Sequence, residues 1–461
     1  MLVLWHWGLR NRAEPFSSIV DNLWPVLVKT MEGLGVDISR EAVSPAALCK
    51  GRQDIGIAPF EFLHAIATEK HLRDHRGLAL HKGYRLWAVD GSCLNLPSNK
   101  NLDAAFGRPS TTGRRKALPQ ASFVALELVN TGWIADFVLA RWDVGELSQS
   151  KAIAARLGKG DLLLADRLYF DPAWFAELCQ RQVKFLFRLN CNRHKSLTPE
   201  SQLKVKELRL KGDVDCRVDL RVKTPSGKYE LLKNLRYIEF HREGADTLYL
   251  ITNLDESEAS LQELVALYKI RWEIETNFRF FKGQDHLPSV RSKKEDTVRQ
   301  EVAVHVLAHN SVRFIQAEAC LADNARTCAA PQGIAETMPT SSPTPARQRD
   351  VPPVTGKNQS AAWVAKHFSY DGPLRPVDLQ FNRTVNAVIG FAIEVLMFPE
   401  ASSNAWSALL KKLAALKIFA KPGRVYPRSG RKFNKGTRKK GNVKAQKLRS
   451  KHRKNGGQGE S

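Results

Sequence analysis

The sequence predicts an α/β protein with a mixed core, a β-rich insertion, a helical domain before the core, and a helical region with a basic tail after it. Three observations predict this class. Short apolar runs of strand length lead into Asp90 and Asp166. Two further apolar runs flank the turn sequence Asn-Thr-Gly at 130–132, which is typical of a hairpin. Segments on both sides carry apolar residues at helical spacing, and 461 residues are enough for several domains.

The core begins after a helical domain. Residues 17–34 and 59–72 show helical spacing, so we expect residues 1–80 to form a small domain, whose basic residues favour binding to nucleic acid. The first part of the core, residues 81–194, has predicted strands and helices in alternation. The predicted strands are 84–89, 120–129, 133–140, 161–165 and 183–189, and the predicted helices are 146–157 and about 172–181.

The rest of the chain divides into five segments. Residues 195–255 alternate between apolar and polar side chains and form a β-rich insertion. Residues 256–326 complete the core with helices from about 261 to 282 and from about 298 to 319. Residues 327–360, rich in Pro, Ser and Thr, are interpreted as a linker, 361–420 as a helical region, and 421–461 as a disordered basic tail.

The charge of the chain indicates its partner. Lys and Arg number 71 against 47 acidic residues, a net charge of +24, and nucleic acid is the usual partner of so basic a protein. The tail holds 15 of these cations and one acid, so it contributes +14. Seven cysteines without a C-x-x-C pair favour a reducing compartment. The longest apolar stretch, 385–398, is shorter than the roughly 20 residues that span a bilayer. We therefore expect a soluble, cytoplasmic protein without membrane contact.

Three acidic residues are the candidate catalytic and metal-binding groups. Asp90 and Asp166 each end a predicted strand, and strand ends of an α/β sheet are where ligands usually bind. The helix predicted from about 261 supplies the third, Glu275. At about 100° per residue, Tyr268, Arg271, Glu275 and Lys282 share an arc of roughly 60°. Carboxylates at such a place suit divalent cations, and the two cations and the phenol suit phosphate groups.

The helix pattern Y-x2-R-x3-E-x6-K resembles the motif of the insertion sequence 4 family of bacterial DDE transposases. Val89-Asp90-Gly91-Ser92 resembles the first acidic motif of that family, and residues 164–170 resemble the second. The segments 104–109 and Gly145-Glu146-Leu147 are also similar to family segments. The likeness covers about residues 40–320.

The resemblance implies a ribonuclease-H-like core and two Mg²⁺ or Mn²⁺ ions held by Asp90, Asp166 and Glu275. It implies DNA as the partner, both transposon terminal inverted repeats and target DNA, and a homodimer on that DNA in the bacterial cytoplasm, at the nucleoid. Tyr268, Arg271, Lys282 and Arg167 are then expected to bind phosphates, and Trp272 to stack on a flipped base during hairpin formation.

Several alternatives stay open at this point. Other acids lie nearby in the sequence, namely Asp136, Asp143, Asp161 and Asp171, whereas the helical offset of Glu273 directs it away from the arc of Glu275. His305 and His309 have the spacing of a zinc pair, but no third ligand is evident. The same fold also serves nucleases and resolvases that do not join strands, and a transposase-derived protein can persist as an inert DNA-binding protein.

Overall fold

The structure is a computed structural model that describes residues 16–109, 117–223, 227, 229–242, 245–271, 274–275, 290–329, 374–397 and 402–416. The chain is divided into two compact units. The first covers residues 1–241, 247–343 and 370–419 and holds almost all of the described residues. The second consists of residues 242–246, 344–369 and 420–461, of which only 242, 245 and 246 are described. The predicted tail and most of the predicted linker therefore lie outside the described residues.

The chain begins with helices, as the apolar spacing predicts. They are α1 (Phe16–Gly33), α2 (Pro45–Ile55), α3 (Ala58–Asp74) and the single turn α4 (Arg76–Ala79). Helix α2 lies between the two segments with clear helical spacing, and its start follows known rules: Ser44 accepts a hydrogen bond from the backbone of Ala47, and Pro45 occupies the first helical position. Buried Ile19 and Leu23 of α1 pack with Phe60 of α3, which joins these helices through an apolar cluster.

Nine strands of the described part form one mixed sheet. They are β1 (Leu80–His81), β2 (Tyr84–Asn95), β3 (Gln120–Leu128), β4 (Trp133–Arg141), β5 (Asp161–Ala165), β6 (Lys184–Arg188), β7 (Val214–Lys223), β8 (Tyr229–Arg242) and β9 (Ala245–Thr252). The order across the sheet is β4-β3-β2-β5-β6-β9-β8-β7, with β1 paired to β2. Strands β2, β3 and β4 are antiparallel, β2, β5 and β6 are parallel, and β9 is antiparallel to β6. The insertion strands thus extend the core sheet and cover its β6 edge.

Helices flank the sheet along the rest of the chain. They are α5 (Lys100–Phe106), α6 (Glu146–Ile153), α7 (Pro172–Gln180), α8 (Pro199–Arg209), α9 (Leu261–Ile270), α10 (Glu295–Ala329), α11 (Phe381–Met397) and α12 (Ser402–Ala414). Fully buried Phe175 of α7 stacks on Phe185 and meets Phe187 edge-on, which fixes α7 on β6. No helix in the described part combines the length and hydropathy needed to cross a membrane.

Four features differ from the sequence predictions. Asp90 does not end its strand, because β2 continues to Asn95, which pairs with Gln120 of β3. The helix predicted over 261–282 is interrupted: α9 ends at Ile270, Arg271 forms a turn, and helical structure resumes at 274–275. The insertion contains a helix, α8, which starts at the capping residue Thr198. In addition, α10 extends to Ala329 and includes the first three residues of the predicted linker.

Candidate active site

The first two acidic residues lie where the parallel part of the sheet ends. Strand β2 pairs with β5 only as far as Ala88, which is opposite Leu164. Asp90 lies two residues beyond this point on β2, and Asp166 follows the last residue of β5 directly. The Asp166 carboxylate accepts a hydrogen bond of 2.6 Å from the backbone N–H of Arg167, and Asp166 thereby caps the short turn that follows. Both acids therefore lie just beyond the point where the parallel pairing of these two adjacent strands ends.

Helix α9 and the residues that follow it bring the third acid to the same place. The helix starts with a capping box between Ser260 and Glu263, which fixes its first turn. At its other end, the Tyr268 hydroxyl lies 3.4 Å from Oδ1 of Asp166. Arg271 donates from Nε to the Tyr268 hydroxyl at 3.2 Å and from Nη2 to Oε1 of Glu275 at 2.6 Å. The predicted common direction of Tyr268, Arg271 and Glu275 is therefore present in the structure, despite the interruption after Ile270.

The Arg271 guanidinium lies among the three acids. Its Nη1 is 4.0 Å from Oδ2 of Asp90, while Nη2 binds Glu275 and Nε reaches Asp166 through the Tyr268 hydroxyl. Only 4% of the Arg271 side chain is exposed. Nη1 is buried and has no hydrogen-bond partner among the described residues. A buried donor of this kind is costly unless an acceptor reaches it, and a phosphate oxygen is an acceptor that guanidinium groups bind well.

Burial sets the protonation of this cluster. It raises the pKa of Asp90 to about 6, and the nearby charges of Glu275 and Asp166 act in the same direction, whereas Arg271 and the Gly91 amide oppose the shift. Burial also raises the pKa of Tyr268 to about 12, which keeps its phenol a hydrogen-bond donor. The charge of Arg188, the last residue of β6, is close enough to act on Tyr268 in the opposite direction. Arg188 was not predicted as a site residue, and its position at a strand end was the available signal.

The donor atoms suit a divalent cation, but their arrangement is not that of a ready metal site. Carboxylate oxygens are the ligands that Mg²⁺ and Mn²⁺ prefer. Within the described residues, however, no three His, Cys, Asp or Glu side chains are grouped closely enough to hold a metal ion. The physical reason is the Arg271 guanidinium, which binds Glu275 and lies beside Asp90. A cation shared by Asp90, Asp166 and Glu275 would compete with this guanidinium for the same carboxylates.

The remaining predicted site residues have mixed outcomes. Arg167 is exposed beside Asp166, with its backbone N–H bound to that carboxylate. Trp272 and Lys282 lie outside the described residues, as does Glu273. His309 is buried, contacts the Gly132 carbonyl at 2.9 Å and stacks on an aromatic ring, which is a structural role.

The competing acids also have structural partners. Asp161 is fully buried and bound to Arg85, while Asp171 caps α7 and pairs with Lys151. Asp136 and Asp143 pair with nearby arginines. None of these four carboxylates takes part in the Arg271 cluster among the contacts described, so Asp90, Asp166 and Glu275 remain the candidate set.

The fold and this cluster define a class: an α/β enzyme whose acids and buried cation suit phosphoryl transfer. A family model described as a transposase DDE domain matches residues 81–311, half of the chain. The chain therefore belongs to the DDE transposase family, and its relatives place it with the insertion sequence 4 type.

Two relatives from Escherichia coli (strain K12) illustrate this similarity. The transposase InsG for insertion sequence element IS4 is 25% identical over 316 residues, which is 66% of each chain. The putative transposase InsZ is 26% identical over 204 residues, 41% of this chain and 63% of InsZ. The chain thus spans a little under two thirds of the length of each relative.

Among solved structures, the cryo-EM structure of a piggyBac transposase synaptic complex with hairpin DNA matches with a TM-score of 0.36 and 9% identity. The match covers 73% of this chain and 58% of that one.

Proposed function

We propose that the chain is the transposase of a bacterial insertion sequence, which binds terminal inverted repeats and cuts and joins DNA by two-metal phosphoryl transfer. One observation carries the proposal. Three acids from distant parts of the sequence, Asp90, Asp166 and Glu275, are linked through Arg271 and Tyr268 at the end of the parallel strands. Membership of the DDE transposase family supports the same assignment.

The sheet supports a ribonuclease-H-like core. Three consecutive antiparallel strands, β2 to β4, are followed by two strands, β5 and β6, that lie parallel to β2 on its other side. The segment after β6 then adds strands β7 to β9, and the chain continues through α9 to the third acid, which lies shortly after this helix. This order agrees with a ribonuclease-H-like core interrupted by a β-rich insertion.

Asp90, Asp166 and Glu275 would hold two Mg²⁺ or Mn²⁺ ions. When bound, the cations would activate the attacking oxygen and stabilise the leaving oxygen of an in-line displacement. Arg271 has the planar donor geometry that suits a phosphate, and its Nη1 is available for one. Tyr268 stays protonated and can orient the Asp166 carboxylate. The guanidinium would therefore move from the acids to the DNA backbone when the site is loaded.

The proposed steps on DNA are those that the resemblance to the insertion sequence 4 family implies. Water attacks at the transposon end and frees a 3′ hydroxyl, which attacks the opposite strand to make a hairpin; a second water opens the hairpin, and the freed ends join target DNA. Trp272 would stack on the base that hairpin formation displaces, and Lys282 and Arg167 would bind phosphates beside the cut. The N-terminal domain, residues 1–80, and the basic tail would add DNA contacts. We expect a homodimer across paired ends, at the bacterial nucleoid.

A metal-dependent cleavage assay tests the proposal. The full chain is incubated with DNA of the element's end and Mg²⁺ or Mn²⁺, and nicking, hairpin formation and strand joining are measured separately. Asp90→Asn, Asp166→Asn and Glu275→Gln should each abolish nicking, whereas Asp143→Asn, which removes an exposed acid paired with Arg141, should retain it. Nicking that survives loss of any one of the three acids would refute the proposal. Nicking without joining would instead assign a nuclease.

A further inference from the structure

Glu146, the first residue of α6, lies directly against the residue that follows Asp90. A Cβ atom built on Gly91 would be 2.5 Å from the Glu146 Cδ and from one carboxylate oxygen, and 2.9 Å from the other. No real Cβ could occupy that position unless Glu146 moved. An acidic residue in the first turn of a helix is usually explained by the helix dipole. The helix dipole explains an acid at this position, but it does not explain why the Glu146 carboxylate packs against Gly91, next to Asp90 in the sequence.

Tyr169 connects Glu146 with the two aspartates. Its hydroxyl donates a long hydrogen bond of 3.4 Å to Oε2 of Glu146, and its side chain is fully buried. Burial raises the pKa of Tyr169, and the negative charges of Asp90 and Glu146 raise it further, which shows that the phenol lies within electrostatic range of both carboxylates. Tyr169 belongs to the short turn that Asp166 caps. One buried phenol therefore contacts Glu146 and lies within electrostatic range of Asp90.

The sheet leaves an opening at this point. Strand β5 pairs with β2 only up to Ala88, so Gly91 lies beyond the parallel pairing, where Asp166 and its turn leave the sheet. Glu146 is half-buried there. Asp90, Asp166 and Glu275 are linked around the buried Arg271, while Glu146 adds a fourth carboxylate against Gly91. Nη1 of Arg271 has no hydrogen-bond partner in the described part of the chain. This excess of negative charge, together with an unused buried donor, indicates a site completed by cations and an anionic ligand.

We propose that Glu146 is a positioning residue of the metal site, which holds metal-bound water on the Gly91 side of Asp90 and thereby strengthens binding of the cation at Asp90. This inference rests on the proposed two-metal function. Carboxylates that bind the ligands of a metal, or its water, commonly change metal affinity about 10- to 100-fold when they are removed. Tyr169 would fix the direction of the Glu146 carboxylate, and the absence of a side chain at Gly91 gives it the necessary space.

Calorimetric titration of the full chain with Mn²⁺, at neutral pH and without DNA, tests this role. Glu146→Gln keeps the shape of the side chain and removes its charge, so Mn²⁺ affinity should fall about 10-fold or more while the thermal unfolding of the metal-free protein stays close to that of the wild type. Glu146→Asp, with the same charge on a shorter chain, should restore part of the affinity. Glu177→Gln, on the exposed side of α7, is the matched control and should bind as the wild type does.

A second variant tests the packing on Gly91. Gly91→Ala should displace the Glu146 carboxylate and weaken Mn²⁺ binding by a similar factor, and the double variant with Glu146→Gln should lose little more than either single variant. Unchanged affinity in Glu146→Gln, with Asp90→Asn still abolishing binding, would overturn this inference and leave the two-metal proposal standing. A wild-type chain that binds no Mn²⁺, or an Asp90→Asn variant that binds it normally, would overturn both.

Discussion

Neutralising Asp90 should stabilise the metal-free protein while it abolishes cleavage. The pKa of Asp90 is raised from 3.8 to about 6, the combined result of burial, which dominates, and of the opposing charge of Arg271. At about 1.36 kcal/mol per unit, ionised Asp90 lowers the free energy of unfolding by about 3 kcal/mol. Its side chain is 21% exposed, so solvent screening reduces this value only modestly. Asp90→Asn keeps the shape and removes the charge, and should recover most of that amount.

The raised pKa of Asp90 determines how the stability difference between the two proteins changes with pH. Between pH 3.8 and about 6 the folded protein holds a proton on Asp90 that the unfolded chain has lost, so the stability of the wild type falls as the pH rises through this window. Above it, the full cost is present. The advantage of Asp90→Asn should therefore be about 3 kcal/mol at pH 8 and about half of that at pH 5. It should disappear in wild-type protein loaded with Mn²⁺, because the cation compensates the charge.

Thermal unfolding of the two metal-free proteins, compared at pH 8 and at pH 5, measures the effect. Asp161→Asn is the control, because Asp161 is a fully buried acid of the same sheet that accepts hydrogen bonds from Arg85 and from the Trp87 indole. Its neutralisation weakens satisfied interactions and should destabilise the fold by about 2 kcal/mol. An Asp90→Asn variant that unfolds at or below the wild-type temperature at pH 8 would show that the carboxylate is not a strained, desolvated charge.

Four further predictions concern the cluster, the neighbouring tryptophan and the tail. Arg271→Gln should abolish cleavage yet tighten Mn²⁺ binding several-fold in a calorimetric titration, since it removes a cation from among the acids; weaker binding would contradict this. Tyr268→Phe should slow single-turnover nicking about tenfold, equivalent to about one hydrogen bond, and an unchanged rate would exclude its orienting role. Trp272→Ala should impair hairpin formation more than the first nick, and equal loss at both steps would count against base stacking. Deleting residues 421–461 should flatten the salt dependence of DNA binding, so an unchanged slope would exclude the tail as a DNA contact.

The sequence predicts three candidate acids, but it predicts the elements that carry them only in part. Asp166 follows an apolar strand of the predicted length, because a strand buried on both faces has a distinct composition. Asp90 was expected to end its strand, since polar residues follow it, but antiparallel pairing with β3 carries β2 on to Asn95. Pairing between distant segments decides where a strand ends, and local composition does not contain that information.

The contacts within the site could not be predicted. Helical spacing gave a common direction for Tyr268, Arg271 and Glu275, but it could not show that Arg271 binds Glu275 and lies beside Asp90. In the sequence, Glu146 belongs to a family-like segment and has no further distinguishing signal, because an acidic residue at a helix start has an ordinary explanation. Its contact with Gly91 depends on how α6 packs across the sheet, which is a property of the folded chain.

Strand β9 has a consequence for how this family can vary in length. Its Thr252 pairs with Leu186 of β6, and α9 starts shortly afterwards, at Leu261. The polypeptide thus leaves the core along β6 and comes back alongside the same strand. Both ends of the inserted segment therefore lie next to β6. Relatives could have a longer or shorter insertion without a change in the distance in space between the second and third acids.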